Sequence, residues 1–131
     1  MPSGHIFATA LCLVLLLGPA ELVAHASVTA SDPADGATVR AAPRQLELSF
    51  SEPIEPRFSL FSLYALGADR AAEPESGTEI PLGAVRAADG NQRVQVSLAE
   101  PLASGWYALL WEILAVDGHT MRGVLRFQVS E

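Results

Sequence analysis

Hydrophobic residues between positions 27 and 129 recur largely at every second position, and turn-forming residues interrupt them at short intervals. Gln45–Phe50 is the cleanest run: Leu46, Leu48 and Phe50 fall on one face, and Pro43 and Pro53 bracket it. Successive side chains of a strand point to opposite faces, so this alternation predicts a half-buried strand. The same reading predicts strands over Ser27–Ser31, Phe58–Leu66, Ile80–Val85, Val94–Leu98, Trp106–Ala115 and Gly123–Val129. Between the Ile80 and Val94 runs, Ala88-Asp89-Gly90-Asn91 predicts a hairpin turn, because Gly and Asn tolerate positive φ. Residues 31–37 and the polar stretch 67–78, with Pro74 and Gly77, read as loops. Residues 60–73 have some helical composition, but their length and β-rich neighbours count against a helix. Seven strands with no convincing helix predict an all-β fold, a seven-stranded Greek-key sandwich.

The N-terminus breaks this pattern. Ile6–Leu17 is a run of twelve residues without a charge, followed by Gly18-Pro19 and Glu21. A spanning helix needs about 20 apolar residues and a secretory signal about 7–15, so the run predicts an export signal. Small residues at Ala20, Ala24 and Ala26 offer a cleavage site. Two cuts fit. Ala24-His25-Ala26 is the better small-x-small match, whereas cutting after Ala24 accepts an aliphatic residue three positions before the cut. With the latter, residues 1–24 are the signal peptide and 25–131 a single domain.

Composition matters mainly after that segment is set aside. The chain has 131 residues, a formal charge of −7, and eight basic residues that are all Arg. An acidic chain lacks the cationic face that nucleic-acid binding requires, and it is no polybasic membrane-surface protein. Its mean hydropathy of +0.27 owes much to the export segment. The lone cysteine, Cys12, lies in that segment too, so the exported domain has neither disulfides nor thiolate ligands.

Candidate chemistry rests on histidine. Only His25 and His119 follow the apolar run. His119 stands in Asp117-Gly118-His119, after the longest predicted strand; if that stretch is extended, Asp117 and His119 share a face. If cleavage follows Ala24, His25 is the N-terminal residue and offers its α-amine and imidazole Nδ1 to one metal. With Asp117 and His119 the set is three nitrogens and one oxygen, which suits Cu(II) or Ni(II) in tetragonal geometry. The triplet also reads as a plain turn, with Asp117 accepting backbone hydrogen bonds and His119 facing solvent.

A wider set of residues bears on this choice. His25-Ala26-Ser27-Val28, the stretch Ser31 to Ala37, and Leu48-Ser49-Phe50-Ser51-Glu52-Pro53-Ile54-Glu55 come first. Gly105-Trp106-Tyr107, Trp111, Ala115 to Thr120, and Gly123 to Phe127 follow in order. Together they resemble the CopC family of periplasmic copper-resistance proteins, over nearly all of residues 25–131. The resemblance implies an immunoglobulin-like or cupredoxin-like sandwich in the periplasm, acting as a copper carrier or buffer rather than an enzyme. It implies one Cu(II) ion held by His25, Asp117 and His119, and it favours cleavage after Ala24. A separate CopD-like inner-membrane copper transport protein is the implied partner, and a monomer is expected.

Family members often begin His-x-His, whereas the third position here is Ser27, and some carry a Met-rich loop for Cu(I). This chain has only Met1 and Met121, which points to the Cu(II)-only form. Glu52 is a candidate auxiliary ligand or neighbour of the metal, against the plain reading of a turn carboxylate. Met121 is either a distant thioether or core filling. Trp106, Tyr107 and Trp111 are expected in the core, and Arg40, Arg44 and Arg57 on the surface. Two other functions compete: a metal-free immunoglobulin-like structural or adhesion module, and a copper oxidase built on a histidine brace. The pairing of His25 with the Asp117-Gly118-His119 triplet weighs against the first. The small domain and the Asp ligand weigh against the second.

Overall fold

The computed structural model describes residues 26–130; the predicted export signal and His25 lie outside the described residues. Nine strands follow in order: β1 (Val28–Asp32), β2 (Thr38–Val39), β3 (Gln45–Phe50), β4 (Leu60–Gly67), β5 (Thr78–Ile80), β6 (Leu82–Ala88), β7 (Arg93–Leu98), β8 (Gly105–Leu114) and β9 (Thr120–Val129). They form two sheets, one ordered β1-β3-β7-β6 and the other β2-β9-β8-β4-β5. All pairings are antiparallel except β2 with β9. Among the described residues only two short 3-10 turns, Pro56–Phe58 and Pro74–Ser76, depart from strand and loop. The all-β sandwich read from the alternation is the observed fold. Its seven strands are all present, and β2 and β5 add two that are too short to show periodicity.

Alternation explains the core. Leu46 pairs with Val96 and Leu48 with Val94 in one sheet, and Leu63, Leu109 and Leu125 lie side by side across β4, β8 and β9 in the other. These residues, with Ile113 and Phe127, are buried in one cluster between the sheets. Tyr107 stacks on Phe127 with ring centroids 5.5 Å apart. Trp111 meets the edge of Phe50 at 5.8 Å. Opposite Trp111 on β9 is Gly123, where a Cβ would stand 2.2 Å from the indole ring, so the ring lies directly on glycine backbone. Trp106 corrects the expectation that all three aromatics are internal. It neighbours the inward Tyr107 and therefore faces outward, where the Arg70 guanidinium lies 5.1 Å from its ring.

The predicted hairpin turn is present between β6 and β7. Asp89, Gly90 and Asn91 all have positive φ, at 51°, 63° and 64°. This turn returns the chain beside the end of β3, which matters for the site below.

Tyr107 also makes a testable contribution to stability. Its hydroxyl donates to the Ala103 carbonyl at 2.7 Å, and burial pushes the phenol above its ordinary value of 10.0. A phenolate could not donate this bond. Because the folded state favours the protonated form, the contribution is complete below about pH 10 and is lost as pH rises through the raised value. Tyr107→Phe is expected to cost about 1 kcal/mol at neutral pH. Urea titrations should show the gap between variant and wild type closing as pH is raised above 10.

Candidate metal centre

Residues 51–54, the turn that follows β3, tie together three other segments at one end of the sandwich. On one side, the Ser27 N–H donates to Ser51 Oγ at 2.9 Å and the Ser51 N–H donates to the Ser27 carbonyl at 2.8 Å. On the second, the β6–β7 turn joins in: Gln92 Nε2 donates to the Ser51 carbonyl at 3.3 Å and the Ile54 N–H donates to the Asn91 carbonyl at 2.9 Å. On the third, Ile54 forms a bridge with Ala115, and the Val116 N–H approaches the Pro53 carbonyl at 3.4 Å. Sequence positions near 27, 52, 91 and 116 therefore converge on one end of the molecule.

The β8–β9 connection supplies the chemistry at that end. The strands pair until Leu114 meets Thr120, leaving residues 115–119 to reverse the chain. The Ala115 N–H donates to the His119 carbonyl at 2.8 Å and the Gly118 N–H to the Ala115 carbonyl at 2.9 Å. Gly118 has a φ of +92°, with open space where a Cβ would point, so backbone conformation rather than room calls for glycine. Asp117 Oδ1 accepts the His119 N–H at 3.0 Å, an Asx turn. Its other oxygen, Oδ2, stands 3.0 Å from His119 Nδ1. The extended segment expected here is thus a tight turn. The two side chains meet because the carboxylate folds over the turn, not because they alternate along a strand.

This pair fits a metal. Imidazole and carboxylate bonds to a divalent first-row ion run to about 2.0–2.1 Å. Neighbouring donors at right angles around such an ion are then roughly 2.8–3.0 Å apart, the edge of a square-planar or tetragonal site. The observed 3.0 Å between Nδ1 and Oδ2 is the distance of an imidazole–carboxylate hydrogen bond, and it falls at that spacing as well. Both side chains are open to solvent, His119 at 55% and Asp117 at 36%, so an ion can reach them from outside. Among the described residues no three His, Cys, Asp or Glu side chains gather tightly enough to hold a metal. Glu52, half-buried in the 51–54 turn, therefore does not complete a group with Asp117 and His119.

Met121 packs partly buried against the core, as filling rather than as a donor in the turn. Read from sequence, Ala26 has a role only in cleavage and Ser51 has none of its own. Ala26 is fully buried, in the same cluster as Phe50, Ile54 and Ala115. A small residue and a serine directly after His25, facing a serine beside the predicted Pro53 turn, are the only signals that could have marked them.

Comparison with known proteins agrees with this architecture. The model for the CopC domain matches residues 28–130. The chain is 33% identical over 130 residues to copper resistance protein C of Xanthomonas campestris pv. juglandis, covering 95% of each protein. It is 30% identical over 121 residues to the copper transport protein CutJ of Bacillus subtilis, matching 92% of this chain but spanning only 21% of CutJ. PcoC, a methionine-rich copper resistance protein from Escherichia coli, shares the fold with a TM-score of 0.70 at 26% identity, over 82% of this chain and 100% of PcoC. The chain belongs to the CopC family, whose named members include copper-resistance and copper-transport proteins.

Proposed function

We propose that this chain is an exported protein that carries or buffers one Cu(II) ion in the periplasm, bound by the α-amine and imidazole of His25, Asp117 and His119. The observation that carries this reading is the 3.0 Å approach of His119 Nδ1 to Asp117 Oδ2, which brings two of the proposed donors together in one exposed turn. Two donors are too few to hold the ion. Residue 25 is one peptide, 3.8 Å between Cα atoms, from Ala26, and Ser27 is bonded to the 51–54 turn that also grips the 115–119 hairpin. Ala26 and Ser27 thereby enter the same end of the molecule as the 115–119 hairpin.

Burial of Ala26 supports cleavage after Ala24. A cut after Ala26 would remove a fully buried side chain and leave a charged terminus at Ser27. The site is a binding centre and no step of catalysis is assigned to it. Its donors must be deprotonated to bind, so affinity falls as pH falls. Glu52 contributes charge nearby and no bond to the ion. A CopD-like membrane copper transport protein is the proposed recipient.

The alternative with an observation behind it is the metal-free module, since Asp117 already has a structural task in its Asx turn. One experiment separates the two. The exported protein is weighed intact, then titrated with Cu(II) and followed by EPR. A mass beginning at His25 and a single tetragonal Cu(II) signal saturating at one equivalent are expected. A mass beginning at Ser27, or no signal beyond aquated copper, overturns the reading.

A further inference from the structure

We infer that Ser51, acting with the buried seat of Ala26, is a positioning residue that fixes the chain terminus against the 115–119 hairpin and so sets the copper affinity. The inference rests on the reading of His25 as the N-terminal ligand. A terminal residue is ordinarily the most mobile part of a chain, and ordering it on binding opposes affinity. Here the next two residues are held before any ion arrives. Ala26 is 0% exposed in the core cluster. Ser27 is bonded in both directions, its N–H to Ser51 Oγ at 2.9 Å and its carbonyl to the Ser51 N–H at 2.8 Å, and its own hydroxyl lies 3.4 Å from Ser51 Oγ.

The Ser51 backbone is itself anchored by Gln92 Nε2 on its carbonyl. Two residues further on, Pro53 and Ile54 bond to Val116 and Ala115. The path from the terminus to the hairpin thus runs through one four-residue turn. With Ala26 and Ser27 already ordered, less of the chain has to be fixed when an ion binds at the terminus. The side-chain hydroxyl of Ser51 is the replaceable part of this clamp, because the Ser51 N–H bond belongs to the backbone and survives substitution.

Ser51→Ala removes the acceptor of the Ser27 N–H while leaving every proposed ligand in place. The expected result is a drop in Cu(II) affinity of about 10- to 100-fold, the range seen when partners that orient metal ligands are lost. The nitrogen hyperfine pattern in EPR should broaden, and the urea midpoint should fall only by the small amount expected of one exposed hydrogen bond. Ser51→Thr keeps a hydroxyl and should restore both affinity and spectrum. Affinity and spectrum unchanged in Ser51→Ala, with wild type binding normally, overturn the inference and leave the copper reading standing. Loss of affinity that Ser51→Thr fails to restore also overturns it. Failure of wild type to bind Cu(II) overturns the copper reading itself and this inference with it.

Discussion

His119→Ala is expected to lower Cu(II) affinity by more than 100-fold while leaving the fold intact. Both parts follow from position. The His119 side chain is 55% exposed, so its removal opens no cavity, and surface substitutions of this kind usually change stability by no more than about 0.5 kcal/mol. Loss of an outer partner of a metal ligand costs roughly 10–100-fold, and loss of a ligand itself should exceed that. Asp117→Asn is the sharper companion. An amide oxygen can still accept the His119 N–H that Oδ1 accepts now, so the turn is retained while the anionic donor is gone. If Asp117 serves only the turn, the Asn variant should bind copper as wild type does; if it is a ligand, affinity should fall with the turn unchanged. Competition against a chelator of known affinity gives the fold-changes. Thermal shift adds an independent reading, since a ligand bound only by the native state stabilises it by RT ln(1 + [L]/Kd). Copper-induced stabilisation undiminished in His119→Ala would remove this residue from the site.

Sheets were legible in the sequence where burial on one face imposed a period of two. Leu46, Leu48 and Phe50, or Leu125, Phe127 and Val129, announce their strands because half of each is internal. Thr38–Val39 and Thr78–Ile80 were silent for the opposite reason: two or three residues cannot display a period, and each forms only because a longer neighbour is already in place. Trp106 shows the limit of composition. Its size and apolarity suggested the core, but it adjoins Tyr107, and one strand cannot turn two successive side chains inward.

The site was legible as residue types and only partly as geometry. Asp117 and His119 were paired through the alternation of an extended segment, and they do meet. What joins them is an Asx turn, a local hydrogen bond from a side chain to backbone that competes with strand formation. Ser51 escaped notice because its partner Ser27 lies 24 positions away. Nothing local marks a serine that caps a distant backbone N–H. Long-range topology decides that contact, and sequence patterns of period two carry no information about it.

Acetylation of the α-amine of the mature protein should abolish high-affinity Cu(II) binding, with a loss of at least 100-fold. The chemistry is unusually clean in this chain because all eight of its basic residues are Arg. With no Lys ε-amine to compete, an amine-directed reagent modifies the terminus alone, and acetylation there removes both charge and donor. The substitution is minimal: the His25 imidazole, Asp117 and His119 remain, as does the Ser27–Ser51 clamp. A surviving tight site would mean that the side chains suffice and that the terminal amine is not a ligand. Copper loading before the reaction supplies the reciprocal test. An amine whose lone pair is held by the ion cannot attack the reagent, so one equivalent of Cu(II) should slow acetylation sharply in wild type and barely at all in His119→Ala. Mass spectrometry reads both as a single step of about 42 Da, one acetyl group. Equal acetylation rates with and without copper would place the ion away from the terminus, whatever the cleavage site.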